Sequence, residues 1–178
     1  MNDALHIIKT RYSCRKYTGN SISSNDIMTL LEAAMSAPTA VNCQPWDFIV
    51  VTEREVLSLF AAQLPYSRML LKAGAAIVVC GNLKKALPGI DAEYWIQDCS
   101  AASQNILLAA HALGLGAVWN AIYPHEERMK IIREVFRYPD FIVPLALIPI
   151  GVPAETEEPK DKFNPTNIHW NHWDGGLK

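Results

Sequence analysis

No run of lysine and arginine stands out in this chain, and the formal net charge is −2. Gripping a nucleic-acid backbone takes clustered cations, so that class of partner is excluded. The longest apolar region, residues 106–113, is broken by His111 and falls far short of the roughly 20 residues that span a bilayer. Residues 1–6 lack the basic stretch and continuous apolar core of a signal peptide. Cysteine is scarce and unpatterned: Cys14, Cys43, Cys80 and Cys99 form no C-x-x-C pair and no disulfide framework. Reduced thiols and a cytoplasmic location are therefore expected. Gly114-Leu115-Gly116 lacks the preceding strand and following helix of a dinucleotide fingerprint. His169 and His172 have no third ligand at metal spacing, so no metal is expected and a Trp-rich tail packed on a partner chain is preferred. No repeat and no internal linker is visible, which predicts one domain over residues 1–178.

Half of the residues are apolar and only 19% are charged, more apolar surface than a lone monomer usually exposes. Residues 4–9 read as a short helix with Leu5, Ile7 and Ile8 on a buried side and Asn2 or Asp3 as cap. Ser23 and Asp26 form a capping box before an amphipathic helix that Pro38 ends. Residues 48–52 and 76–80 read as buried strands, with a helix over 53–63 between them. A long helical stripe over 92–113 closes at Gly114, and small residues at Ala101, Ala102, Ala109 and Ala110 would let another helix approach. A strand or extended stretch is expected over 115–122, then a helix with Pro124 in its first turn. Residues 142–150 read as a strand that Pro144 and Pro149 force toward an edge or bulge. After Val152 the composition shifts to Pro, Glu, Lys and Asn, marking an extended arm over 152–178. Helices and strands are interspersed without regular alternation, so the expected class is α+β.

Two segments carry the chemistry. Arg11, Ser13 and Arg15 offer two guanidiniums and a hydroxyl at a helix end, the donor set that suits a phosphomonoester. Taken alone, such arginines also satisfy a helix macrodipole. Asn42, Gln44 and Trp46 place amides that donate and accept beside an aromatic, matching the mixed edge of a pyrimidine ring. Taken alone, they also suit an ordinary polar turn with a core tryptophan. Together they fit a phosphorylated planar heteroaromatic ligand such as flavin mononucleotide (FMN). Cys14, inside the first segment, reads as a small neutral hydrophobe, and His111 as a hydrogen-bonded core residue.

Four blocks in order resemble the nitroreductase family of FMN-dependent oxidoreductases. They are Arg11-x-Ser13-x-Arg15-Lys16-Tyr17; Ala33-Ala34-x-x-Ala37-Pro38-Thr39-x-x-Asn42-x-Gln44-Pro45-Trp46-x-Phe48; Gly114-Leu115-Gly116-Ala117-Val118-Trp119; and Pro144-Leu145-Ala146-Leu147-Ile148-Pro149-Ile150-Gly151-x-Pro153-Ala154-Glu155. The resemblance implies a central mixed, mainly antiparallel sheet flanked by helices. It also implies an intertwined homodimer with exchanged C-terminal arms and FMN in the interface. By the same resemblance Arg11, Tyr12 and Ser13 hold the phosphate and ribityl end, and Arg15 lies toward the flavin N1 and C2 carbonyl. Pro38 and Thr39 come from the partner subunit, and with Asn42 and Gln44 reach the flavin. Trp119, Asn120 and Ala121 pass beneath the ring, and Lys160 and Lys162 close over the phosphate. Arg68 approaches the pyrimidine edge or a substrate acid group. The sequence departs from the common pattern at Ala121, where many relatives have glycine, and at Val41.

The implied activity takes hydride from NADH or NADPH and passes it by a ping-pong cycle to a nitroaromatic, a quinone or a similar small acceptor. No side chain is required as acid, base or nucleophile. Relatives that reduce enoates, remove halogen or fragment flavin share the scaffold, and a flavin-binding or sensing module without catalysis is the reading outside enzymes.

Overall fold

The computed structural model describes residues 3–173. Helix α1 (Asp3–Thr10) carries Asp3 in its first turn and Lys9 in its last, and the alternative cap Asn2 lies outside the described residues. The expected buried side is corrected: α1 buries no residue, and Leu5 and Ile8 are 51% and 54% exposed. Helical spacing marks an apolar stripe but not the surface that covers it. Helix α2 (Ser24–Met35) starts as expected, with the Asp26 N–H donating to Ser23 Oγ at 3.0 Å, and it ends before Pro38.

The sheet is built around two long strands. Strand β1 (Trp46–Val51) pairs with β2 (Ala75–Asn82), which helix α3 (Arg54–Gln63) connects, and β2 pairs with β5 (Ile142–Gly151). All eight residues of β2 are buried because both sheet faces are covered, which explains its continuous apolar run. Ile77 and Val79 point into a core with α2 and helix α4 (Tyr94–Ala112), while Ala76, Val78 and Cys80 face a second core with α3 and helix α5 (Glu126–Phe136). Helices, sheet and helices make three layers, and the class is α+β. Every strand pair among the described residues is antiparallel.

The prolines of β5 act differently from one another. Val79 faces Ala146 and Cys80 faces Pro144, so Leu145 is the extra residue of a bulge at the first proline, as expected. Pro149 instead sits inside a central strand. On the far edge of β5, strands β3 (Gly116–Ala117) and β4 (Asn120–Ala121) hold one register, with Gly116 opposite Gly151 and Asn120 opposite Leu147. Their interruption falls opposite Pro149. The Val118 N–H reaches the Pro149 carbonyl at 3.3 Å, but the return bond needs an N–H that proline lacks. The strand or extended stretch expected over 115–122 is thereby two short strands with a gap between them.

Two boundaries also shift. Helix α4 follows a 3₁₀ turn (Gly89–Glu93) and starts later than expected, while Gly114 takes φ +73° just past its end. Helix α5 begins at Glu126 with His125 as its cap, so Pro124 stands before the helix and not in its first turn.

Candidate functional site

Residues 11–18 leave α1 in extended form and are fastened on two sides. The Cys14 N–H donates to the Ala117 carbonyl at 3.0 Å, the Thr18 N–H to Val152 at 3.0 Å, and the Ala154 N–H returns to Lys16 at 2.9 Å. Tyr17 is the pin. Its buried ring packs over Gly151 and near Gly116, and its hydroxyl lies 2.9 Å from the Cys14 carbonyl and 3.1 Å from that of Pro149. Cys14 is buried, and burial pushes its thiol above the usual range; it serves as the neutral filler its sequence context suggests.

Fastening this segment aims its polar side chains at the C-terminal arm. Arg11, Ser13 and Arg15 line one recess of about 210 Å³ together with Lys160 and Lys162, with Tyr12 in its wall. Glu157 and Glu158 also line it, so four cations meet two carboxylates and the excess is positive. The arm is held at its root by a 2.6 Å ion pair between Lys16 and Glu155 and by the Tyr12 hydroxyl, which donates to the Glu155 carbonyl at 3.2 Å. Burial comes first among the causes that push the Tyr12 hydroxyl up, so it stays a donor. Arg11 Nη1 is buried and has no hydrogen-bond partner among the described residues. An unpaired buried guanidinium nitrogen is costly, and native structures pair such groups with protein or ligand.

His111, at the far end of α4, backs this cradle. Thr10 Oγ1 spends its single proton on the His6 carbonyl at 2.8 Å, so the 2.9 Å contact from His111 Nε2 to that oxygen makes Nε2–H the donor. The imidazole meets the Tyr12 ring edge-on at 6.2 Å. Burial, then Arg11 and His6, push its pKa below the ordinary value, which keeps it neutral beside the arginine.

The second predicted segment lies elsewhere on the chain. Pro38 and Thr39 line a separate recess with Asp98 and Tyr94. Val41, Asn42 and Gln44 adopt φ values of +44°, +58° and +48°, a left-handed conformation that is a genuine outlier for a β-branched residue such as Val41. Thr39 Oγ1 accepts from the Gln44 N–H at 3.2 Å, and Gln44 Nε2 reaches Asn42 Oδ1 at 3.2 Å. The buried carboxylate of Asp98 anchors the turn, accepting from the Ala40 N–H at 3.0 Å.

Trp119, Asn120 and Ala121 follow Ala117, whose carbonyl accepts from the Cys14 N–H. Asn120 Nδ2 donates to Ser67 Oγ at 2.9 Å, and the Ala121 carbonyl accepts from Arg128 at 2.8 Å. Arg68 follows Ser67 in a 3₁₀ turn (Arg68–Leu71) and is exposed; the adjoining Tyr66 has φ +58° and is 85% exposed. Arg54 fixes this turn by donating to the Leu70, Leu71 and Ala73 carbonyls.

Within one chain the structure therefore brings together residues 11–15, 160 and 162, joins residue 14 to residues 116 and 117, and leaves the 38–44 turn in a separate recess. Asp98 and His111 mark the two locations, and 13 residue steps along one helix set them about 20 Å apart. Sequence reasoning missed Asp98 and the Glu157–Glu158 pair as parts of these recesses. A charge at Asp98, within the buried stripe of Trp95, Cys99 and Ala102 on α4, was the available signal. Among the described residues, no group of three or more His, Cys, Asp or Glu is placed to hold a metal, and no helix is long and apolar enough to cross a membrane.

Comparison with known proteins places this arrangement. A provisionally named NADH dehydrogenase/NAD(P)H nitroreductase from Methanothermobacter thermautotrophicus is 47% identical over 173 residues, covering 96% of this chain and 88% of the relative. The crystal structure of a protein provisionally given the same name, from Parabacteroides distasonis, superposes with a TM-score of 0.92 at 46% identity, over 97% of this chain and 100% of the other. A provisionally named nitroreductase from Desulfovibrio desulfuricans, solved in complex with FMN, gives 0.81 at 28% identity, covering 94% of this chain and 96% of that one. The nitroreductase family profile matches residues 8–66 and 53–152. With the α+β architecture and the blocks at residues 11–17, 33–48, 114–119 and 144–155 in place, the chain belongs to the nitroreductase family.

Proposed function

We propose that this chain is an FMN-dependent NAD(P)H oxidoreductase, built as one domain with a C-terminal arm and working as a homodimer. The observation that carries the reading is the cradle of four cations around the buried, unpartnered Arg11 Nη1. A phosphomonoester brings a charge of about −1.5 to −2 at neutral pH, which the net positive recess attracts, and its oxygens supply the acceptor that Arg11 lacks. Arg11, Ser13, Lys160 and Lys162 would hold that phosphate, and Tyr12 would flank the ribityl chain. The cation of Arg15 would stabilise negative charge at the flavin N1 edge.

Bound FMN supplies hydride chemistry at N5, accepting from NADH or NADPH and donating to a nitroaromatic, a quinone or a similar small acceptor in a ping-pong cycle. The protein orients and does not act as acid, base or nucleophile. Trp119, Asn120 and Ala121 would underlie the ring, and Arg68 would face its pyrimidine edge or an acidic substrate group. Pro38, Thr39, Asn42 and Gln44 of a second copy would complete the pocket. Two observations support that assembly: the turn lies a helix length from the cradle, and Leu5, Ile8 and Phe163 stand exposed. Antiparallel packing of two α4 helices would set each turn beside the other chain's cradle.

Freshly purified protein is expected to be yellow, to release FMN on denaturation, and to bleach within seconds of mixing with NADH or NADPH, giving parallel double-reciprocal lines. Colourless protein that ignores added FMN overturns the reading.

A further inference from the structure

The turn over residues 38–44 is held in a conformation that its own residues disfavour. Three non-glycine residues with positive φ lie within four positions, and for the β-branched Val41 above all such a conformation persists only where the surroundings over-determine it. The contacts that over-determine it are few. Thr39 and Asn42 bond Gln44 from inside the turn, and these bonds move with it. Attachment to the rest of the protein runs through Asp98, which is 6% exposed and 58 positions away in sequence from Ala40. One carboxylate oxygen accepts from the Ala40 N–H at 3.0 Å, and the other lies 3.8 Å from Cys43 Sγ. One side chain thus grips both ends of the short 3₁₀ segment (Ala40–Asn42) from a rigid helix.

We propose that Asp98 is a positioning residue, which sets the left-handed turn so that Thr39, Asn42 and Gln44 present their polar groups in the direction the flavin ring requires. This rests on the reading that the turn meets FMN in the assembled protein. A charged acceptor suits the task, because a hydrogen bond to a carboxylate is stronger than one to a neutral oxygen. A carboxylate with two oxygens also spans two donors where an amide offers one acceptor.

Two variants separate this role from simple loss of structure. Asp98→Ala removes the anchor from α4. Ala40→Pro deletes the donor from the turn without touching the helix core, and Thr39 ψ of 155° already suits a residue before proline. Each is expected to weaken both FMN and riboflavin binding roughly tenfold, and the double variant by little more, since both remove the Ala40–Asp98 bond, the stronger of the two contacts. Asp98→Asn keeps an acceptor for the Ala40 N–H and is expected to stay within about threefold of the parent. In the flavin-free protein, hydrogen exchange at the Ala40 amide should be protected in the parent and in Asp98→Asn, and rapid in Asp98→Ala.

Flavin affinity within about twofold of the parent in a folded Asp98→Ala overturns the inference; if that variant does not fold, Ala40→Pro decides on the same threshold. Unchanged exchange at Ala40 in Asp98→Ala overturns it also, independently of any flavin. A parent that binds neither FMN nor riboflavin sinks the functional reading instead, and leaves the exchange result to judge the anchor alone.

Discussion

Gly116 lies against Cys14 so closely that a Cβ built on the glycine would stand 2.5 Å from the cysteine Sγ and 2.6 Å from its Cβ. No side chain fits there. Gly116→Ala is expected to destabilise the protein by about 1–3 kcal/mol through overpacking, and to weaken FMN binding because the displaced segment carries Arg11, Ser13 and Arg15. Cys14→Gly in the same chain should restore part of both losses. Chemical denaturation and flavin titration check this; an unchanged midpoint in Gly116→Ala contradicts it.

Arg11→Ala should weaken FMN binding by about 1.5–3 kcal/mol, the range for hydrogen bonds to charged groups. Riboflavin, which lacks the phosphate, should bind the variant and the parent alike. Fluorescence titration with both ligands separates a phosphate contact from general damage: an equal loss for both would remove Arg11 from the phosphate.

Lys160 and Lys162 are exposed, so solvent screens their charge and each contributes less than the half-buried arginine. The double substitution to alanine should cost less FMN affinity than Arg11→Ala, and its penalty should shrink as sodium chloride is raised. Titrations at low and high salt give the comparison, and a salt-independent penalty would argue for a packing role of the arm.

His111 adds a pH dependence whose sign follows from its neighbours. Burial, Arg11 and His6 lower its pKa from the ordinary 6.5 in the folded chain, so the unfolded chain binds the proton more readily. The stability it contributes is complete above the unfolded value and is lost as pH falls from about 6.5 through the lower folded value. His111→Gln keeps a donor to Thr10 Oγ1 and removes the titration, so melting temperatures of the flavin-free variant should vary less across that window. A slope identical to the parent's would assign the effect to another group.

What was legible in the sequence followed from local rules. Ser23 and Asp26 specify a helix start through a bond between near neighbours, Pro144 marks a bulge because it lacks a donor, and Arg11, Ser13 and Arg15 share a segment. What was not legible depended on distant surfaces. Leu5 and Ile8 have helical spacing whether or not anything covers them. Pro149 sits in a central strand because the interruption at Val118 and Trp119 absorbs its missing N–H. Asp98 bonds a turn 58 positions away, and no pattern along α4 names that partner.

The anion cradle draws on two stretches far apart in sequence, Arg11 to Arg15 and Lys160 with Lys162. On the ribosome, therefore, a growing chain has no complete cradle until Lys162 has emerged, long after the central sheet can begin to form. On the proposed reading, ligand capture through the complete recess is therefore a late event in the life of each new molecule.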